Sequence, residues 1–233
     1  MSKYRHIIFD ADHTLIDFNA DEKRAFRTAF QGTPLGREEI VQHMWEYSRR
    51  DWGERGLNNV NDPEIRKQYH MRTYEHVHAL FEYAAAELGL ENAGEAERIF
   101  YSTLCMPAHP HEGALETVKA LSEKYLVSVA TNGLTDMQRA RLVVFQPYLH
   151  KLFISEELNT IKPAKEYGNI LLDTLLSQAE ECLFIGDSLT SDIALANKLN
   201  MDAIWFNPDG RPLPEGYRAV GQIQTLGELL GIL

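Results

Sequence analysis

The sequence of 233 residues predicts an α/β protein: a doubly wound parallel sheet with an all-helical segment inserted into it. Short apolar runs that end in glycine or polar residues are typical of strands buried on both faces of a parallel sheet. Longer segments with apolar residues at helical spacing lie between these runs. Strand and helix in alternation favour a doubly wound core. Residues 18–109, in contrast, contain almost no strand-like run.

Five apolar runs are the predicted strands of this core. They are residues 6–10 (HIIFD), 126–133 (LVSVATNG), 151–155 (KLFIS), 182–188 (CLFIGDS) and 202–210 (DAIWFNPDG). Helical spacing of apolar residues predicts helices within 111–125, 135–145, 165–178 and 191–200. Together these elements predict a Rossmann-like core.

The helical segment is predicted from its composition and from its aromatic residues at helical spacing. Residues 37–52, 63–90 and 92–104 are rich in Glu, Arg, Ala and Leu. We therefore expect two domains, a core made of residues 1–17 and 110–233 and an insert of residues 18–109. Three aromatic residues of the insert are expected in its core, with stacking on a ligand as the alternative: Trp45, Tyr47 and Trp52.

Charge and cysteine content restrict the function. The formal net charge of −11 argues against a polymeric nucleic acid as partner, although a small anionic substrate remains compatible with local cations. No run of about 18 apolar residues predicts a membrane span, and the first residues do not resemble a signal peptide. Cys105 and Cys182 form no metal-binding spacing, so we expect two reduced thiols in a cytoplasmic protein.

Polar side chains follow four of the predicted strands. Asp10 and Asp12 follow the first, Thr131 and Asn132 end the second, Lys162 follows the third, and Asp187 with Asp192 follows the fourth. The carboxyl ends of parallel strands meet at one edge, so these groups are expected in one pocket. Clustered carboxylates indicate a hard divalent cation, and oxygen ligands suit Mg²⁺. A lysine and hydrogen-bond donors beside Mg²⁺ suit a phosphoryl group.

The order of these motifs is D-x-D-x-T, T-N-G, a Lys-Pro and G-D-S-x-x-x-D, and it resembles that of the haloacid dehalogenase superfamily of phosphatases. The resemblance covers the whole chain, and a helical cap inserted after the first motif is common in that superfamily. It implies hydrolysis of a phosphate monoester with Mg²⁺ as cofactor.

The resemblance also implies a role for each motif residue. Asp10 would be the nucleophile that forms an aspartyl-phosphate, and Asp12 would be the general acid and then the general base. Mg²⁺ would be held by the carboxylates of Asp10 and Asp187 and by the backbone carbonyl of Asp12. Thr131 and Asn132 would donate to phosphoryl oxygens, while Lys162 would neutralise developing charge. Asp192 would position water or Lys162, with metal ligation as the alternative.

Three further residues beside these motifs need an interpretation. Thr14 belongs to the loop beside the nucleophile, and His13 is expected to face solvent rather than substrate. Many relatives continue Lys-Pro with Asp-Pro, but residues 164–165 here are Ala and Lys. This departure makes Lys165 an alternative cation for the site.

The stretches FDADHTL, ISEELNTIKP and WFNPDG resemble the pyrimidine 5′-nucleotidases that act on noncanonical nucleoside monophosphates. A phosphoglycolate or sugar phosphatase is the alternative. A 2-haloacid dehalogenase is disfavoured because halide loss needs no proton and those enzymes lack the second acid, Asp12. A non-catalytic binder of phosphorylated ligands is disfavoured because every catalytic position holds the expected residue type. The sequence gives no indication of the oligomeric state.

Overall fold

The computed structural model describes residues 3–233 and contains a six-stranded sheet in which all pairings are parallel. The strands are β1 (His6–Phe9), β2 (Leu126–Thr131), β3 (Lys151–Ile154), β4 (Cys182–Gly186), β5 (Asp202–Phe206) and β6 (Gly221–Ile223). Their order in the sheet is β3-β2-β1-β4-β5-β6. The chain moves outward from β1 to β3 and then returns to the other side of β1. This reversal opens a crevice at the carboxyl end of β1, where such sheets bind ligands.

Ten α-helices are described. They are α1 (Phe18–Ala29), α2 (Glu38–Glu54), α3 (Pro63–Leu88), α4 (Ala93–Leu104), α5 (Ala114–Ser122), α6 (Thr135–Arg141), α7 (Ser155–Leu158), α8 (Lys165–Leu175), α9 (Ala194–Leu199) and α10 (Leu229–Ile232). A π-helical turn at Leu189–Ile193 precedes α9. Within the described residues, no helix is both long and apolar enough to cross a membrane.

The sheet is covered on both faces, which accounts for its nearly continuous apolar strands. Ile7 and Phe9 of β1 pack in a cluster with residues of α5 and α10. Ile8, between them in sequence, packs on the opposite face with residues of α8 and α9. Successive side chains of a strand point to opposite faces, so a strand covered on both sides is apolar throughout. The predicted α/β fold with a doubly wound parallel sheet is confirmed.

Helices α1 to α4 form a second apolar cluster. Three phenylalanines lie at its centre, with ring centroids 4.6 Å apart for Phe26 and Phe100 and 5.3 Å apart for Phe81 and Phe100. Leu134 and Met137, from the segment after β2, belong to the same cluster. These four helices therefore pack directly on the loop that carries one of the candidate site motifs.

The two chain segments that enter and leave the four helices run side by side. Ile16 forms an antiparallel bridge with Pro110, and the Asp17 amide donates to the His109 carbonyl at 2.9 Å. The His111 amide donates to the Leu15 carbonyl at 2.9 Å. This paired junction lies next to the proposed domain boundaries at residues 17/18 and 109/110, which stay a prediction.

Strand β6 was not predicted from the sequence. It consists of the three residues Gly221, Gln222 and Ile223, of which only Ile223 is buried. A strand this short and polar at the edge of a sheet has no apolar run or alternation by which to recognise it. β6 is recognised as a strand only from its parallel pairing with β5 in the folded protein.

Candidate active site

Loops at the carboxyl ends of the strands bring the motif residues to one place. Asp10 directly follows β1, Thr131 is the last residue of β2, and Asp187 directly follows β4. β1 lies between β2 and β4, with Phe9 opposite both Val129 and Ile185. The register therefore aligns the ends of these three strands. Lys162 reaches the same point from the loop after α7.

The Lys162 ammonium is enclosed by oxygen atoms. Its Nζ donates to Asp10 Oδ1 at 2.6 Å, to Asp192 Oδ1 at 2.7 Å and to the Ala130 carbonyl at 2.6 Å. The side chain is only 1% exposed. Burial alone would lower the pKa of Lys162, but the two carboxylates raise it above its ordinary value, so the amine stays charged. Lys165, the alternative cation, is exposed and does not line the same cavity.

Three carboxylates converge beside this ammonium. One ligand oxygen from each of Asp10, Asp187 and Asp192 lies within 4.8 Å of the others. Burial, together with the charge of Asp192, raises the pKa of Asp10 well above its usual range and that of Asp187 to about 7. One ammonium cannot balance three clustered carboxylates, of which Asp10 and Asp192 are buried and Asp187 is partly buried. The donor set consists of oxygen atoms in a site of excess negative charge, which fits a divalent cation such as Mg²⁺.

Asp192 and Asp187 are each fixed by a neighbouring hydroxyl or amide. Asp192 Oδ2 accepts from the Ser188 amide at 3.0 Å, while its other oxygen holds Lys162. Asp187 Oδ1 accepts from the Thr14 hydroxyl at 3.2 Å, and the Thr14 oxygen in turn accepts from the Asp187 amide at 3.1 Å. Thr14 thus connects the loop after β1 with the loop after β4. Both oxygens of Asp192 thus accept hydrogen bonds, from Ser188 and from Lys162, as expected for a residue that positions Lys162.

The loop after β2 holds the lysine loop in place. The Asn132 side chain donates from Nδ2 to the Lys162 carbonyl at 3.0 Å and accepts from the Lys162 amide at 2.8 Å. The Thr131 hydroxyl oxygen accepts from Gln138 Nε2 at 2.6 Å, which leaves its proton available to a ligand. Both Thr131 and Asn132 line the cavity described below. The Asn132 amide has one further N–H, so positioning of Lys162 and contact with a ligand are compatible.

Two residues that sequence reasoning did not identify hold Asp12. Gln138 Nε2 donates to Asp12 Oδ2 at 2.7 Å, and Arg141 Nη1 donates to Asp12 Oδ1 at 2.5 Å. Arg141 is fully buried and also pairs with Asp21 of α1 at 3.2 Å. The only signal in the sequence is that residues 138 and 141 are polar at positions one helical turn apart. Their partners lie more than a hundred residues away, so local pattern could not reveal the contact.

A cavity of about 450 Å³ extends from these groups toward α1 to α4. Its walls include apolar residues of the helices together with Glu22, Ser48 and His76. Trp52 lines the cavity, whereas Tyr47 stacks on Tyr83 at 3.7 Å, away from it.

His13 also lines the cavity, in contrast to the solvent-facing position expected for it. Its ring packs against Phe18 with centroids 5.8 Å apart, and its backbone has a φ of 64°. A left-handed backbone is uncommon for a residue other than glycine, and nothing in the local sequence indicates that a histidine adopts it here.

A model of the haloacid dehalogenase-like hydrolases matches residues 4–200. The chain belongs to this family. The resemblance found in the sequence is thereby confirmed, and the protein is a hydrolase of the haloacid dehalogenase type.

Three named relatives align with most or all of this chain. The HAD-hydrolase YfnB of Bacillus subtilis is 30% identical over 100% of this chain and 97% of its own. Pyrimidine 5′-nucleotidase PynA of Streptococcus pneumoniae is 33% identical over 88% of this chain and 84% of its own. Pyrimidine 5′-nucleotidase YjjG of Escherichia coli is 26% identical over 99% of this chain and 98% of its own. A crystal structure of YfnB bound to magnesium superposes with a TM-score of 0.82 at 29% identity, over 100% of this chain and 99% of that one.

Gly186→Ala should destabilise this haloacid dehalogenase-like hydrolase, because the site has no space for a methyl group there. A Cβ at residue 186 would lie 2.3 Å from Asp192 Oδ2, and that carboxylate cannot move without leaving Lys162. We expect a loss of about 1–3 kcal/mol in the free energy of unfolding, measured by urea denaturation.

Gly94→Ala is the matched control for this variant, because no atom lies within 4 Å of the added Cβ. It should change the free energy of unfolding by less than about 0.5 kcal/mol. Equal stability of the two variants would show that Asp192 is not held as the structure places it.

Proposed function

We propose that this hydrolase is a Mg²⁺-dependent phosphatase that acts on pyrimidine nucleoside 5′-monophosphates. The observation that carries the proposal is the cluster of Asp10, Asp187, Asp192 and Lys162, three of which line one cavity together with Asp12. Two of the relatives, PynA and YjjG, bear the name pyrimidine 5′-nucleotidase. Their names support the nucleotide part of the proposal.

Asp10 is the proposed nucleophile. Its carboxylate attacks phosphorus, the bond between phosphorus and the leaving oxygen breaks, and an aspartyl-phosphate forms. Water then attacks the phosphorus of this intermediate and releases phosphate with Asp10 restored. Lys162, 2.6 Å from Asp10 Oδ1, favours the ionised form of the attacking carboxylate against the burial that raises its pKa, and it offsets the negative charge that gathers there.

Asp12 is the proposed proton carrier for both steps. It donates a proton to the leaving alkoxide and then removes one from the attacking water. In the structure both of its oxygens accept hydrogen bonds, from Gln138 and Arg141, which corresponds to the ionised form needed for the second step. Donation to the leaving group requires Asp12 to release one of these bonds while it carries the proton.

The acidic cluster supplies ligands for Mg²⁺. Asp10 and Asp187 would hold the ion with the backbone carbonyl of Asp12, and Thr14 would orient Asp187. The bound ion would neutralise phosphoryl oxygens during transfer. Thr131 and Asn132 would donate to the same oxygens from the side of β2.

Removal of the metal is the first test. EDTA should abolish the hydrolysis of p-nitrophenyl phosphate and added Mg²⁺ should restore it, whereas Ca²⁺ should not, because its longer and looser coordination misplaces the reacting atoms. Mg²⁺ should also raise the melting temperature of the wild type, since a bound ion stabilises the folded state.

The matched pair for the metal test is Asp187→Asn and Asp173→Asn. Asp173 is exposed on α8 and lies outside the cavity. The Asp187 variant should lose most of the Mg²⁺-induced rise in melting temperature, and the Asp173 variant should retain it. Full turnover after exhaustive chelation would contradict the proposed metal site.

Replacement of the nucleophile is the second test. Asp10→Asn keeps the shape of the side chain but removes the attacking anion, so turnover should fall by at least about a thousandfold, as expected when a covalent step is lost. The variant should retain the circular dichroism spectrum of the wild type. Substantial turnover by Asp10→Asn, with mass spectrometry excluding deamidation to Asp, would indicate direct attack by water instead.

A panel of phosphate monoesters at equal concentration tests the substrate class. We expect kcat/KM for dUMP, UMP and dTMP to exceed that for purine monophosphates by about tenfold, because a few contacts to a base give only about 1–3 kcal/mol of discrimination. Di- and triphosphates should be poor substrates, because the cavity of about 450 Å³ between the acidic cluster and the helices leaves little room for further charged phosphates. A strong preference for phosphoglycolate or a hexose phosphate would overturn the nucleotide assignment and leave the phosphatase chemistry in place.

A further inference from the structure

Glu22 is an acidic residue in an unexpected position. It lies on the buried face of α1 with Ala25, Phe26 and Ala29, where an apolar side chain would be the less costly choice. Burial raises the pKa of Glu22 to about 7 against the opposing effect of the hydrogen bond from Ser48. An acid held at this cost indicates a role beyond packing.

The other buried acids of residues 3–233 all pair with a cation, and Glu22 does not. Lys162 pairs with two of them, and arginines pair with the other two. These pairs are Asp10–Lys162, Asp192–Lys162, Asp21–Arg141 and Asp51–Arg55. Among the described residues, no cation lies within 4.0 Å of the Glu22 carboxylate. Its one hydrogen-bond partner among the described residues is the neutral hydroxyl of Ser48, whereas Arg49, which lines the same cavity, acts on it through longer-range charge.

One carboxylate oxygen of Glu22 is available to a ligand. Oε1 shares a hydrogen bond with the Ser48 hydroxyl at 2.5 Å. Oε2 has no hydrogen-bond partner within residues 3–233, and it is not among the buried atoms that lack a partner, so some of its surface is accessible. Glu22 lines the same cavity as Asp10 and Asp12. That accessible surface therefore faces the space into which a leaving group extends from the phosphoryl site.

The hydrogen bonds that link Glu22 to Ser48, His76 and Asp51 determine whether Oε2 carries a proton. Arg55 donates to Asp51, so His76 Nδ1, 2.7 Å from Asp51 Oδ2, carries a proton. His76 Nε2 lies 3.1 Å from Ser48 Oγ. With a neutral His76 ring, Ser48 donates to Nε2 and a proton lies on Glu22 Oε1. With a charged ring, Nε2 donates to Ser48 and Ser48 donates to Oε1. In both arrangements Oε2 carries no proton and is an acceptor.

We propose that Glu22 belongs to the subsite for the leaving group of this enzyme. Its Oε2 atom accepts a hydrogen bond from the imide N3–H of a uracil or thymine base. This inference rests on the proposed nucleotidase function. Uracil and thymine, once joined to a sugar, each have one N–H donor, at N3. A buried acceptor left unpaired when that donor is absent produces strong discrimination. Trp52 lines the same cavity and supplies an aromatic surface to it.

The test compares UMP with its N3-methyl analogue, which keeps the ring and its carbonyls but has no N3–H. The wild type should show a kcat/KM for UMP about ten- to a hundredfold above that for the analogue. In Glu22→Ala, UMP should lose that advantage, so the ratio of the two values should approach one. Relative to p-nitrophenyl phosphate, UMP should become a poorer substrate by at least about tenfold.

Two further variants separate recognition from packing. Glu22→Gln keeps an amide oxygen as acceptor and should retain most of the preference for UMP over the methylated analogue. Glu87→Ala, which removes an exposed acid from α3, should match the wild type with all substrates. Recovery by Gln but not by Ala would identify the oxygen acceptor as the group that acts.

Three results would overturn the proposed role of Glu22. The first is equal kcat/KM for UMP and the methylated analogue in the wild type. The second and third concern Glu22→Ala: a loss of kcat/KM for p-nitrophenyl phosphate, or for ribose 5-phosphate, as large as the loss for UMP. The last would indicate a sugar hydroxyl as the donor. Failure of the nucleotidase proposal itself looks different, because the wild type would then prefer non-nucleotide monoesters in the panel.

Discussion

The Lys162 ammonium lies between Asp10, Asp192 and the Ala130 carbonyl, and most of the site depends on these three hydrogen bonds. A buried charge is tolerated only when partners replace the water that it has lost, and removing one partner of a buried pair costs about 3–5 kcal/mol. The lysine therefore ties the ends of β1 and β2 to the turn after β4. Residue 186 has no room for a side chain, because Asp192 occupies the space where a Cβ would lie. Asn132 holds the backbone of Lys162 from the other side.

A second set of charges joins the site to the inserted helices. Asp12 pairs with Arg141, Arg141 pairs with Asp21, and Asp21 accepts from His109 in the linker that returns from α4. Opposite charges alternate from Asp12 through Arg141 to Asp21, and the side chains of Arg141 and Asp21 are fully buried. A displacement of α1 relative to the core must change the Asp21–Arg141 contact. The arrangement thus provides a direct physical connection between the position of the helices and the hydrogen bonds of the proposed proton carrier.

The sequence was informative wherever the determining interactions are local or topological. Apolar runs that end in Asp10, Thr131 and Asp187 predicted both the strands and their common edge, because parallel strands bring their carboxyl ends together. Partners contributed by other elements escaped prediction for a physical reason. Arg141 and Gln138 contact Asp12 across 129 and 126 residues. A polar residue on a short helix is usually solvated, so its spacing alone gives no indication of a buried partner.

For Glu22, the sequence indicates a buried position but does not reveal the partner that an acid needs there. Its spacing places it on the buried face of α1, and an acid on that face is a conflict between local pattern and burial that only a partner can resolve. On the core side of the cavity, Lys162 pairs with Asp10 and Asp192, and the proposed divalent cation would balance the remaining negative charge. On the side of the inserted helices, Glu22 Oε2 has no hydrogen-bond partner within the described residues, and a base N–H is the partner proposed for it. In this proposal, the acidic cluster at one end of the cavity acts on any phosphate monoester, and Glu22 at the other end selects among them. Substrate selectivity can therefore change without alteration of the phosphoryl site.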